Sequence, residues 1–153
     1  MKPYHHFFIG GVGGASAVAD IGLLVLRLMA GLAMAFAHGI NKIPPSEGFI
    51  GGVEALGFPF PVFFAWSAGL AEFVGGLCLA IGLLTRPAAL LLAFTMAVAF
   101  FLRHAGDPFG DKEKAFLFGG IALLYLLAGA GRFSVDALLR GRVSRRPAHR
   151  YAR

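Results

Sequence analysis

Residues 60–84 read FPVFFAWSAGLAEFVGGLCLAIGLL, and this stretch decides the fold class. It carries one charged residue, Glu72, close to its middle. Crossing the ~30 Å hydrocarbon core of a bilayer takes about 20 helical residues, within a range of roughly 17–25. The stretch is long enough to cross. A carboxylate at that depth costs about 2.5–3.5 kcal/mol on insertion scales. A chain that keeps one there is expected to give it a partner, a cavity or a site.

Three further apolar segments flank it: Ile21–Ile40, Ala88–Leu102 and Ala115–Ala130. The first spans directly, and the other two span with flanking residues or local thinning of the bilayer. The fold class predicted is an all-α integral membrane protein, an antiparallel bundle of four transmembrane helices. Thr85-Arg86-Pro87 links spans two and three as a tight helical hairpin, with the proline suited to a first helical turn. Asp111 is the expected N-cap of the fourth helix. Between spans one and two, Pro44-Pro45 breaks the chain. Phe49, Ile50, Val53 and Leu56 then recur at helical spacing, and Gly57 can end the turn. A short interfacial helix is expected over Ser46–Leu56. The chain divides into an N-terminal segment (1–20), a membrane domain (21–136) and an Arg-rich tail (137–153).

Composition excludes several classes. Of the 153 residues 58% are hydrophobic and only 14% charged, with a mean hydropathy of +0.74, whereas soluble domains carry roughly 25% charged residues. The lone cysteine, Cys78, leaves no disulfide framework, CxxC pair or cysteine metal cluster. There is no GxSxG and no phosphate-binding GxxxxGK[ST], and Gly10, Gly11, Gly13 and Gly14 do not follow a strand that opens a dinucleotide-binding helix. No pair of span histidines matches the pattern of a membrane b-type haem.

The net charge of +6 is concentrated at the end of the chain, in Arg132, Arg140, Arg142, Arg145, Arg146, Arg150 and Arg153. Without aromatic interleaving this is no nucleic-acid module. It reads as a topology signal that also contacts anionic lipids. With four spans, nine Lys and Arg fall on the side of the termini and four on the other, so both termini are expected in the cytoplasm. Ala15-Ser16-Ala17 resembles a signal-peptidase site. The glycine-broken region before it makes a poor signal core, so the segment is expected to remain uncleaved.

The polar residues inside the spans are the candidates for chemistry. Arg27 and His38 are eleven residues apart, nearly three helical turns, and so share a face with Gly31, Met34 and Ala35, while Asn41 and Lys42 lie just beyond. Ala65, Ala68, Gly69, Gly75 and Gly76 flank Glu72 and allow close helix approach. An Arg27–Glu72 pair is expected across the two antiparallel spans. Two uses of it stay open: fixing helix register, or forming a site where Glu72 meets a ligand or proton. His38 and His104 sit at the outer span ends, where either alone is an ordinary interfacial side chain. With Glu72 they would outline a polar cleft opening outward, rimmed by Lys42, Arg103 and Glu113. Two histidines and a glutamate from three helices lack metal-ligand spacing, and no metal site is expected.

The residues also carry a family resemblance. Leu26-Arg27, His38-Gly39-Ile40-Asn41-Lys42, Gly57-Phe58-Pro59 and Ala71-Glu72-Phe73-Val74-Gly75-Gly76 follow one another in order. LAIGLLTRP over residues 79–87, then His104 and GAGRFSVD over residues 129–136, complete the pattern. Over about residues 21–136 the chain resembles the DoxX family of small bacterial four-helix membrane proteins. The resemblance implies a four-helix bundle in the bacterial inner membrane and a link to redox metabolism: quinone-coupled oxidation of sulfur compounds, and membrane complexes that resist oxidative stress. A related branch adds redox cysteines, which this chain lacks, so electron transfer would need a quinone or a partner's cofactor. The expectation is an inner-membrane subunit of a quinone- or thiol-linked redox complex with no intrinsic cofactor. It admits a bound quinone, a redox protein partner and a homo-oligomer. The alternative is a non-enzymatic scaffold or small-molecule carrier whose polar residues are structural.

Overall fold

The computed structural model describes residues 16–144. Residues 1–15 of the expected N-terminal segment, with the glycines that make it a poor signal core, lie outside the described residues, as do the side chains of the tail arginines from Arg142 onward. Every regular element described is helical. Helix α1 (Ala17–Ala33) continues through a π-helical stretch, Met34–Gly39, and a short 3₁₀ turn, Ile40–Lys42. Then come α2 (Glu47–Ala55), α3 (Pro61–Ile81), α4 (Thr85–Val98, extended by π-helical Ala99–Arg103), α5 (Phe109–Ala128) and α6 (Val135–Ser144).

Local chemistry sets the boundaries. The Ser16 hydroxyl accepts from the Ala19 N–H at 3.1 Å and opens α1, as Ser46 does for α2 with Phe49. Pro61 starts α3, where its missing N–H costs nothing. Gly57 (φ +80°) and Gly82 (φ +70°) take the left-handed conformation that ends α2 and α3. Beyond Gly82 the Leu83 N–H donates to Cys78 O at 2.9 Å, closing the helix end. The expected cap of the last long helix differs: α5 begins at Phe109 after Pro108, and Asp111 sits within its first turn. There its charge complements the helix dipole without capping.

Among the described residues three helices are long and apolar enough to cross a membrane: Ala17–Lys42, Pro61–Ile81 and Thr85–Arg103. The fourth long helix, α5, has 20 residues. Asp111, Lys112, Glu113 and Lys114 occupy its opening turns and shorten its apolar part. Large apolar side chains project outward along all four, among them Val18 at 80% and Leu127 at 76% exposed. In water such surface would be an association hazard. In lipid it is the solvated face.

The inner face is closed by Met34, Leu79, Leu92, Met96 and Tyr125. Helices α1 and α3 approach backbone to backbone. A Cβ on Gly31 would lie 2.5 Å from Gly76 O, and one on Gly76 would lie 2.8 Å from Gly31 O. Further along, Gly39 abuts the backbone of Glu72 and Phe73, and Gly69 abuts Lys42. Such small-residue contacts are how helices pack without a hydrophobic driving force between them. The seam fixes the register of α1 against α3, and therefore what Arg27 and Glu72 can reach.

Candidate functional site

The expected Arg27–Glu72 pair does not form. Arg27 lies beside Ala80, eight residues from Glu72 along α3, which at 1.5 Å per residue is about 12 Å. Its guanidinium is 1% exposed and donates to three backbone carbonyls. Nε reaches Ala80 O at 3.1 Å, while Nη1 and Nη2 reach Ala130 O and Phe133 O at 2.6 Å each. The planar fork of donors suits such a fan of acceptors better than a single ammonium would. Gly82 is required here twice, by its positive φ and because the guanidinium packs against it where a Cβ would stand.

Around Arg27 the chain ends are tied together. The Asp136 carboxylate accepts from the N–H groups of Leu84 (2.8 Å) and Thr85 (3.0 Å), capping α4 from fifty residues away. The Asp136 N–H donates back to Gly82 O at 2.8 Å. The Tyr125 hydroxyl donates to Leu23 O at 2.6 Å, and Asp20 accepts from the Arg132 N–H at 3.3 Å. Asp20, Leu23 and Arg27, spaced three and four apart, thus form one face of α1 fastened to α5 and the segment after it. Asp20, Tyr125 and Asp136 were absent from the residues expected to matter. Only the Asp20–Arg27 spacing and the position of Asp136 in the GAGRFSVD motif hinted at them.

Glu72 is 1% exposed, and its partner is Lys42, whose Nζ lies 2.6 Å from Oε1. The flexible stem of Lys42 bends back from the end of α1, past the Gly69 and Gly39 contacts, and its ammonium also lies 5.4 Å from the centre of the Phe49 ring in α2. The second carboxylate oxygen, Oε2, is buried and has no hydrogen-bond partner. Lys42 and Glu72 border a cleft of about 510 Å³ between α2, α3 and α4, with Phe49, Phe94, Arg103 and His104 among its other lining residues.

The six expected site residues therefore separate. Glu72, Lys42 and His104 come to one cleft. The His104 imidazole Nδ1 sits 2.7 Å from an Asp107 carboxylate oxygen, which orients the ring at the rim. His38 is elsewhere: its ring stands edge-on to Phe118 of α5, centroids 5.6 Å apart. His38 lies within the π-helical stretch Met34–Gly39, where the 3.6-residue spacing that aligned it with Arg27 no longer holds. Asn41 donates to Ala37 O at 3.4 Å and finishes its own helix. Among the described residues no group of three His, Cys, Asp or Glu side chains is placed to hold a metal ion. The cleft is bordered by an ion-paired carboxylate with one unpartnered oxygen, by the Lys42 ammonium, and by the apolar walls of Phe49 and Phe94.

An outward-apolar set of helices with a polar cleft at one end defines a helical membrane protein. The chain belongs to the DoxX family, whose model matches residues 22–105. It is 36% identical over 125 residues to the inner membrane protein YqjF of Escherichia coli K12, covering 78% of this chain and 93% of that one. It is 32% identical over 124 residues to the inner membrane protein YphA of the same organism (73% and 89% covered). To a Bacillus subtilis 168 protein named "Putative oxidoreductase CatD" it is 30% identical over 118 residues (76% and 86% covered). No solved structure matches the chain.

Proposed function

We propose that this chain is an inner-membrane subunit of a quinone- or thiol-linked redox complex, and that the Lys42–Glu72 cleft is its working site. The observation that carries this is the unpartnered Oε2 of a buried, ion-paired glutamate bordering an apolar cleft. Buried polar atoms are nearly always satisfied, so an orphan beside a cavity marks where a ligand's donor belongs. The oxidoreductase name of the Bacillus relative and the inner-membrane names of the two Escherichia relatives support the setting.

In this reading α5 is the fourth span. Its 20 residues reach about 30 Å, and a bond from Arg86 Nη2 to Leu127 O at 3.0 Å holds it antiparallel to α4. Four spans place both termini in the cytoplasm with the basic tail on anionic lipids, and the cleft faces outward.

A quinone-type head fits the donors present: Lys42 would donate to a carbonyl, and Glu72 Oε2 would accept from a hydroxyl. When bound, such a group supplies the two-electron chemistry the side chains lack. Glu72 Oε2 would take the hydrogen bond of the head, Lys42 would hold the carboxylate in place through Oε1, and His104 with Asp107 stands at the rim on the path outward. Arg27 has no part in this and serves the fold. A redox protein partner or a second copy of the chain would complete the electron path.

The Glu72→Gln variant tests the reading, because it keeps size and one acceptor while removing the charge. Normal folded yield in detergent with lost protection of cells against oxidants is expected. Normal yield with full protection would overturn it. Lost yield would assign Glu72 to the scaffold or carrier alternative instead.

A further inference from the structure

Two sets of glycines in this protein contrast. At Gly31, Gly39, Gly69 and Gly76 a Cβ would collide with the backbone of the facing helix, so packing demands glycine. Helix α2 holds three in nine residues, Gly48, Gly51 and Gly52, and a Cβ at any of them would meet nothing within 4 Å. None has a positive φ. Glycine is the poorest helix former after proline, and neither packing nor backbone conformation explains its use here. Gly48 and Gly52, one turn apart, both line the cleft that Glu72 borders. The space beside them is the cleft itself.

The opposite wall comes from α4. Leu91 and Phe94 line the cleft and are 53% and 59% exposed, on a helix whose outer face meets lipid. The α4 side of the cleft is therefore not covered by another described element, while its Glu72 end is polar.

We infer that the cleft admits, from the bilayer between α2 and α4, a lipid-dissolved amphiphile with a flat, rigid apolar body and a head that donates a hydrogen bond. The body lies along the Gly48–Gly52 face, where side chains would fill its place, and the head donates to Glu72 Oε2. This rests on the reading of the cleft as a ligand site and adds the shape of the ligand and its route.

The single tryptophan, Trp66, precedes the cleft-lining Ser67 and reports occupancy. The probe is 1-pyrenebutanol, a four-ring body with a hydroxyl head that accepts energy from tryptophan, with the full chain in phosphatidylcholine vesicles. Saturable quenching of Trp66 is expected, governed by the mole fraction of probe in lipid, so adding lipid at fixed total probe lowers it. Gly52→Leu should weaken binding at least tenfold and Gly51→Leu should not, since Gly51 is outside the lining. The methyl ether of the probe, which lacks the donor, should bind about tenfold more weakly. If Gly52→Leu folds poorly, the Gly48→Ala/Gly52→Ala pair against Gly51→Ala should still show at least a threefold difference.

Equal behaviour of Gly51→Leu and Gly52→Leu would overturn the inference, as would quenching set by aqueous concentration or the absence of saturation. Loss of oxidant protection in Glu72→Gln alongside absent probe binding would keep the redox site and reject the flat ligand. Saturable, Gly52-dependent binding with full protection in Glu72→Gln would do the reverse.

Discussion

Two buried charges sit in the same pair of helices, and their surroundings differ in kind. Arg27 has three carbonyls around its guanidinium and lies inside a knot that joins α1, α3, α5 and the segment before α6. Glu72 has one partner, one orphaned oxygen and an open cleft beside it. A buried charge that is fully satisfied by backbone is part of the architecture. One left with unused capacity next to a cavity is placed to meet something else. The difference separates a charge closed off by backbone from one with unused capacity, although both look alike as isolated residues in apolar runs.

The sharpest way to break the comparison is at Arg27. Replacing it in Arg27→Met orphans three buried carbonyls at about 1–3 kcal/mol each, so a loss of about 3 kcal/mol or more is expected. The thermal midpoint in detergent should drop steeply, with Arg27→Lys rescuing little because one ammonium cannot serve three diverging acceptors. No second substitution that merely neutralises a carboxylate should restore it. Lys42→Met is the counterpart at the other end. It leaves Glu72 charged, buried and unpaired, and a loss of about 1–3 kcal/mol is expected, below the fully buried range because Lys42 is partly solvated. Here neutralising the partner should help: Lys42→Met/Glu72→Gln should recover most of the loss in a double-mutant cycle. A cycle showing no coupling would mean that the ion pair does not hold the cleft.

A smaller effect tests the knot itself. Asp136→Ala removes the carboxylate that caps α4 through Leu84 and Thr85. Caps of this type are worth about 0.5–2 kcal/mol, and a loss near the upper end is expected because both N–H groups are left without a partner away from bulk water. The oxidant protection given by each folded molecule should be unchanged. Altered protection at equal folded amount would show that the two ends are coupled.

The apolar runs made the long helices legible, because a bilayer-length segment is a property of composition. Ser46 and Gly57 made the boundaries of α2 legible, because caps and left-handed turns are local, whereas the link expected at Thr85-Arg86-Pro87 falls earlier, at Gly82–Leu84, and Thr85 already opens α4. Glu72 and Lys42 were both picked out as residues in their own right. The pairing between them was not, for two physical reasons. The π-helical stretch at Met34–Gly39 has no signature in a single sequence, yet it interrupts the 3.6-residue spacing on which the shared face of Arg27 and His38 was argued. Charge complementarity also suggested a carboxylate for Arg27, whereas carbonyls freed by the turns at Gly82 and Gly129–Phe133 serve it as well. Acceptors of that sort belong to the backbone, and no residue letter announces them. The glycines of α2 were visible in the sequence, but packing and cleft-lining glycines share a letter, and only the facing backbone at Gly31 and Gly76 and the cleft beside Gly48 and Gly52 tell them apart.

That last distinction gives the finest test, with the smallest expected effect. Gly51→Ala adds a methyl where nothing stands within 4 Å, outside the cleft lining, in a helix interior with ordinary φ. Alanine narrows the unfolded ensemble and favours the helix, so stability should rise by about 0.4–1 kcal/mol with oxidant protection unchanged. The increase should appear as a higher thermal midpoint in the same detergent. If Gly51→Ala instead lowers the midpoint, or leaves it higher while reducing protection, then α2 needs glycine for its own movement. The open space beside Gly48 and Gly52 would then be a consequence of that movement, and the cleft would lose its claim as the reason those glycines are there.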